Sequence, residues 1–387
     1  MHRVLLVVGA RPNLMKAAPI LQAAARSSSI RVELIHTGQH YDAELSGLLM
    51  TDLGMRPPDH ALEVGKSTPL GQIASILTGL EAICTPARPA LILVVGDVTT
   101  TLAAALVANK LSVPLAHVEA GLRSHDPEMP EEWNRRATDL FADVLFCTEP
   151  SGVESLLSEG KRDEQIFLVG NVMIDTLIQL LPRAKTRRTA VSMGLSGPYG
   201  LVTLHRPSNV DDPVKLGRLL SDALVPLAET VPLVFPVHPR TRARMSDHAL
   251  AALPSSVRVV PPLGYVDFLA LMADAALVLT DSGGVQEETT VLGVPCLTLR
   301  DNTERPVTIE LGTNELVGAE PSRILAAARR VLTGPPKGGR APPLWDGRAA
   351  ARVISIIEGF LDGGPQRAVS RARDCGALVG TDGLARG

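Results

Sequence analysis

The stretch HVEAGLRSHDPEMPEEWNR, residues 117–135, carries Glu119, Asp126, Glu128, Glu131 and Glu132 directly after an apolar run. So many carboxylates either form a solvated acidic loop or include groups that take and give protons. A further carboxylate, Asp97, closes the apolar run LVVGD, where it could equally cap the helix that follows. Burial in a cleft raises the pKa of such groups and suits them to acid–base work. Metal binding is the rival role, but the sequence has no DxD pair and no His/Asp cluster, so no metal is expected.

Cationic groups recur at matching places. GARPNLMK holds Arg11 and Lys16, LHRP holds His205 and Arg206, PVHPR holds His238, and DNTERP holds Arg305. Each follows a β-rich apolar run. Alone, each reads as a surface or capping residue, but strand ends of an open α/β sheet converge on one crevice. LTDSGGVQEE adds Ser282, Gly283 and Gly284 between a strand and a helix. Two glycines let a ligand approach the backbone, and the N–H groups of a helix start favour phosphate; otherwise they simply make a tight turn. Neither a GxxxxGK[ST] loop nor a GxGxxG after the first strand is present. A cationic cleft with a phosphate-ready helix start suits a nucleoside diphosphate.

The elements that must position these groups alternate as βαβ units. RVLLVVG, RVELIHTG, ALILVVGD, PLAHVEA and VLFCTEP are nearly continuous in apolar character, as strands buried on both faces should be. YGLVTLHRP, LVFPVHP, VRVVPPLG, LVLTDSGG and PCLTLRD begin a second series. Between them, LPRAKTRRTAVSMGLSGP reads as a solvated linker. The organisation expected is a Rossmann-like domain over 1–175, a second over 176–345, a C-terminal helix over 346–360 free to pack back on the first domain, and a Gly/Arg-rich mobile tail over 361–387. The fold class is α/β, with two doubly wound domains facing a central cleft.

Composition narrows the function classes. With 387 residues, 45% hydrophobic but only 3% aromatic, the cores must be built from Leu, Val, Ala and Ile. A formal net charge of −3 argues against nucleic acid or an anionic membrane as partner, and no apolar run spans a bilayer. Cys84, Cys147, Cys296 and Cys375 show no metal or disulfide spacing, which suits a reducing cytoplasm.

Ten segments together resemble the non-hydrolysing UDP-N-acetylglucosamine 2-epimerase family. They are GARPNLMKAAPI, HTGQHYD, VVGDVTTTLAAALVA, HVEAGLRSHDPEMPEEWNR, VGNVMIDTL, VTLHRPSNV, PVHPRTR, PLGYVDFLALM, LTDSGGVQEETTVLGVPCLTLRDNTERP and GTNELVG, in the family's order over about four-fifths of the chain. The resemblance implies the two-Rossmann, GT-B-like arrangement and the interconversion of UDP-GlcNAc and UDP-ManNAc. It implies a route in which UDP leaves C1 as the C2 proton is removed, then adds back to a 2-acetamidoglucal. Carried over by position, Asp97, Glu119 and Glu131 match the acid–base carboxylates, with Glu132 as the fallback for Glu131. His205 matches the histidine near the leaving phosphate, and Arg11 and Lys16 match cleft residues needed for activity. Ser282, Gly283 and Gly284 match the diphosphate cradle, Glu288 the ribose contact, Arg305 a nucleotide contact and Phe268 the uracil pocket. No cofactor is implied, and the family is usually a cytoplasmic homodimer.

Departures qualify the match. The segment QHYDAELSGLL lacks the glutamines by which some members bind a second, activating substrate molecule, and GARPN replaces their GTRPE form. Some relatives act on 2,3-diacetamido uronic acid sugars. A hydrolysing epimerase releasing ManNAc, a glycosyltransferase on the same fold and a non-catalytic UDP-sugar-binding regulator are the alternatives.

Overall fold

A computed structural model of the chain describes residues 1–38, 43–65, 67–246, 250, 252–335 and 337–386. The residues Gln39 to Asp42 of the QHYD segment lie outside that set. The chain forms two compact units, Met1–Gln179 with Pro343–Gly387, and Leu180–Pro342.

The first unit is built on an eight-stranded sheet. In chain order its strands are β1 (His2–Val8), β2 (Ile30–His36), β3 (His60–Ala61), β4 (Leu91–Val95), β5 (Leu115–Val118), β6 (Val144–Cys147), β7 (Ile166–Leu168) and, from the C-terminal segment, β14 (Leu378–Val379). The spatial order is β14-β7-β6-β5-β4-β1-β2-β3, parallel except for β14 against β7. Every residue of β4 is buried, because helices cover both faces of a parallel sheet. The helix Thr99–Lys110 packs on this sheet through Ala103, Ala104, Ala105 and Ala108, all fully buried. Alanine, the best helix former, also lets a helix approach closely where aromatic residues are scarce.

The second unit carries β8 (Gly200–Thr203), β9 (Leu233–Pro236), β10 (Val257–Val260), β11 (Leu277–Thr280), β12 (Cys296–Thr298) and β13 (Asn314–Leu316). Their order is β10-β9-β8-β11-β12-β13, all parallel. In each sheet the strand order reverses once, between β1 and β4 and between β8 and β11. At such switch points the two loops leave in opposite directions and open a crevice at the carboxyl ends of the strands.

Two regions differ from the sequence expectation. The basic stretch read as a linker is largely helical, since the helix Val172–Arg187 runs through Pro182, although Arg183, Lys185, Arg187 and Arg188 are solvated as expected. The tail expected to be mobile is ordered. The helix Ala349–Asp374 continues past a kink at Gly363 and Gly364, where Gly364 adopts φ +72°, and β14 then caps the open edge of β7. Composition pointed to disorder because Gly and Arg dominate, but Ala368 and Ala372 are fully buried and Val379 nearly so. Asp175 anchors the start of that helix by accepting from the backbone N–H groups of Ala349 (3.1 Å) and Ala350 (2.7 Å).

Among the described residues no helix is long and apolar enough to cross a membrane.

Candidate active site

In the first unit, strand register brings three loops together. Val94 of β4 pairs with Val7 of β1 and with His117 of β5. Gly9, Gly96 and Glu119 therefore emerge side by side at the switch point. Asn13, buried at the start of the helix Arg11–Ala24, ties the first two: its Oδ1 accepts from Gly9 and Ala10 N–H, and its Nδ2 donates to the Val95 carbonyl at 3.0 Å. One turn on, Lys16 is also buried and donates from Nζ to Glu119 Oε2.

Glu119 is 2% exposed, and its Oε1 has no hydrogen-bond partner among the described residues. Its backbone sits at φ +71°, rarely adopted by a residue with a side chain. Such strain costs on the order of 1–3 kcal/mol and clusters at functional sites. The Phe146 carbonyl holds it there by accepting from both Glu119 and Ala120 N–H. Gly96, at φ +70°, is also closely packed: a Cβ there would lie 3.1 Å from Lys16 Nζ and 3.4 Å from Glu119 Oε2.

The acidic stretch resolves into distinct parts. Glu132 is buried, and its Oε2 accepts from Ser124 N (2.8 Å), Ser124 Oγ (2.9 Å) and Arg135 Nη1 (2.9 Å). Arg135, fully buried, also donates from Nη2 to Asp97 Oδ2 at 2.5 Å, and Asn134 Nδ2 donates to the Asp97 carbonyl at 2.9 Å. Glu131, half-buried in the first turn of the helix Pro130–Phe141, makes no hydrogen bond or ion pair among the described residues. It lies one turn before Arg135, on the face turned toward Asp97. Arg11 is half-buried at the first position of its helix. Sequence reasoning missed Asn13 and Arg135; both stand in quoted motifs, but only tertiary contact reveals whom they hold.

The second unit has its own cluster at the β8/β11 switch point. Thr203 pairs with Thr280, so the residues just beyond, His205 and Asp281, meet. Asp281 is fully buried and accepts from His205 N, Arg206 N and Asn209 Nδ2, and its Oδ1 lies 3.0 Å from His205 Nδ1. Burial works against its charge, but the His205 contact and these donors hold its pKa below the ordinary value. The His238 ring lies 5.6 Å from that of His205 and is fixed by accepting the Arg240 N–H at Nδ1, 3.1 Å.

The helix Gly283–Leu292 opens on Ser282, whose side chain does not cap it; the first N–H groups of a helix have no intrahelical partner and favour an anion. Arg305 reaches this turn, paired with Glu287 through Nε. A Cβ at Gly283 would sit 2.6 Å from its Nη1. Behind it, buried Glu304 meets Arg206 Nη2 at 3.2 Å and Arg300 Nη1 at 2.7 Å; burial works against its charge, but the guanidiniums of Arg305, Arg300 and Arg206 hold its carboxyl far below the usual range. On the next turn Glu288 accepts from Tyr265 OH at 2.6 Å. Burial pushes its pKa up to about 8, and Glu287 adds to the rise while the Tyr265 bond opposes it. Phe268 follows Tyr265 by one turn and is half-buried. Sequence reasoning missed the roles of Asp281, Glu304 and Tyr265. Among the described residues, no group of three or more His, Cys, Asp or Glu could hold a metal ion.

The first cluster can therefore move protons, and the second can hold a polyanion beside an oriented imidazole. A family model described as UDP-N-acetylglucosamine 2-epimerase matches residues 22–358. The UDP-N-acetylglucosamine 2-epimerase of Methanocaldococcus jannaschii is 37% identical over 361 residues, covering 91% of this chain and 98% of its own. The UDP-2,3-diacetamido-2,3-dideoxy-D-glucuronate 2-epimerase of Pseudomonas aeruginosa is 38% identical over 334 residues, covering 85% of this chain and 92% of its own. The crystal structure of the M. jannaschii UDP-GlcNAc 2-epimerase in complex with UDP-GlcNAc and UDP matches with a TM-score of 0.85 at 36% identity, covering 92% of this chain and 99% of that one.

Proposed function

Because the chain belongs to the UDP-N-acetylglucosamine 2-epimerase family, we propose that it interconverts UDP-GlcNAc and UDP-ManNAc by eliminating and re-adding UDP. The C2–H bond has no neighbouring carbonyl and is not acidic, so direct proton exchange is closed. Loss of UDP with the C1–O electron pair, coupled to removal of the C2 proton by a carboxylate, leaves a 2-acetamidoglucal. Inversion follows when a proton reaches C2 from the opposite face and the UDP oxygen returns to C1.

The observation that carries this reading is Glu119: a buried carboxylate in a strained backbone conformation, with one oxygen on Lys16 and the other unpartnered among the described residues. Asp97 and Glu131 complete the acid–base set, and Arg11 belongs beside them. His205, oriented by Asp281, serves the departing β-phosphate. Ser282, Gly283, Gly284 and Arg305 cradle the diphosphate, Glu288 takes the ribose, Phe268 the uracil, and His238 supports His205. The proposal carries with it a cytoplasmic homodimer working without metal or nicotinamide.

Incubation with UDP-GlcNAc in deuterated water, followed at C2 by proton NMR, tests the reading. Deuterium at C2 together with UDP-ManNAc is the expected result; neither deuterium nor a new sugar overturns it. Free ManNAc and UDP would instead indicate hydrolysis. The similarity to the P. aeruginosa enzyme supports a second reading, a UDP-diacetamido uronic acid substrate, which the same assay examines with that sugar.

A further inference from the structure

His117 interrupts the apolar strand β5 at a position with no solvent exposure, and neither the acid–base set nor the nucleotide cradle uses it. Its two ring nitrogens face different elements. Nδ1 lies 2.7 Å from Asp139 Oδ1 on the helix Pro130–Phe141, and Nε2 lies 2.9 Å from the Gly96 carbonyl beyond β4.

A carbonyl oxygen can only accept. Asp139 Oδ2 accepts from Gly121 N at 3.1 Å and lies 2.8 Å from Arg123 Nη2; burial works against its charge, but contact with His117 and Arg123 holds its pKa low. With the Arg123 guanidinium against it the carboxylate is ionised, so both ring nitrogens of His117 donate, which a neutral imidazole cannot do. Arg123 is itself fixed, forking onto Glu159 through Nε (2.9 Å) and Nη2 (2.7 Å).

We propose that His117 is a buried double donor that positions the Gly96–Asp97 turn by clamping it to the helix Pro130–Phe141. That turn is where positioning matters. Gly96 passes beside the Lys16–Glu119 pair, Asp97 follows it, and the clamped helix carries Glu131 and Arg135. His117 touches none of the reacting atoms; it fixes the spacing between the carboxylates that do. This role rests on the epimerase reading, but the protonation state can be read without it.

The first measurement is long-range proton–nitrogen correlation NMR on full-length protein labelled with ¹⁵N in its nine histidines, assigned through His117→Gln. The expected result is one histidine with both ring nitrogens protonated and shielded from solvent exchange, which also identifies it should the variant not fold. A single neutral tautomer at His117 overturns the double donor. The second measurement compares C2 exchange and UDP binding in His117→Gln, which keeps a donor for the Gly96 carbonyl, and His117→Phe, which keeps none. A loss of kcat of about tenfold in the first and about a hundredfold in the second, with the UDP Kd held within about threefold, is expected. Equal rates in folded variants and wild type overturn the positioning role. Absence of C2 exchange in wild type beside a doubly protonated His117 would support the clamp and reject the substrate instead.

Discussion

His205 Nδ1 stands 3.0 Å from Asp281 Oδ1, and the same carboxylate accepts the backbone N–H of His205. One fully buried group thus fixes both the ring and the loop that carries it. With Nδ1 donating to Asp281, Nε2 is the nitrogen left to face a ligand. Asp281→Asn preserves the volume but allows the wrong tautomer. It should lower kcat for C2 exchange by on the order of 10²-fold, with a smaller change in KM. The pKa of Asp281 is depressed on folding, so its ionised form stabilises the protein above the ordinary aspartate range, and that contribution is lost as pH falls. Acid unfolding of wild type and variant should therefore converge at low pH, as circular dichroism against pH would show.

Adjacent carboxylates on one helix have opposite duties. Glu132 satisfies three donors in the interior, whereas half-buried Glu131 satisfies none. Glu131→Gln should abolish most of the C2 exchange while leaving the unfolding free energy within about 0.5 kcal/mol of wild type. Glu132→Gln should instead destabilise the fold by about 3 kcal/mol, because Arg135 loses a buried counter-charge. Denaturant titration beside the exchange assay separates the two. Catalytic loss in Glu132→Gln without loss of stability would reverse the assignment.

Both sheets were legible in the sequence because strands buried on both faces read as unbroken apolar runs, and the polar residues ending those runs mark the crevices. Asp97, Glu119, His205 and the Ser282–Gly284 turn were accessible for that reason. Asp281, Arg135 and His117 were not, since their meaning depends on register: Thr203 against Thr280 brings His205 to Asp281, and Val94 against His117 brings the ring to Gly96. Short β7 and β13, three residues each, leave too little pattern to recognise. The tail failed for a different reason. Its small buried side chains gain their stability from docking on the first unit, which composition does not encode.

Gly283 offers a test of the phosphate turn. A methyl group there would meet Arg305 Nη1 at 2.6 Å and Cζ at 3.0 Å, the far end of a flexible side chain, so the fold should survive while the guanidinium is displaced. Gly283→Ala should weaken UDP binding by about tenfold in isothermal titration calorimetry. In an Arg305→Ala background the same change should cost little, because the two substitutions remove one interaction. Full additivity would mean that the glycine matters through the backbone alone.

Glu288 offers a test by pH. Its pKa of about 8, raised chiefly by burial from an ordinary 4.5, leaves the carboxyl protonated at neutral pH in the ligand-free protein. A group whose pKa rises on folding holds its proton more tightly in the folded state. Its stabilisation is complete below about pH 4.5 and is lost as pH climbs through 8. Wild-type Tm should fall across that window relative to Glu288→Gln, which stays neutral throughout and keeps an oxygen to accept from Tyr265 OH. The difference between the two melting curves isolates this group from the others that titrate. If the curves run parallel from pH 5 to about pH 9, Glu288 is ionised in the folded protein. Its contact with Tyr265 would then be charge-assisted.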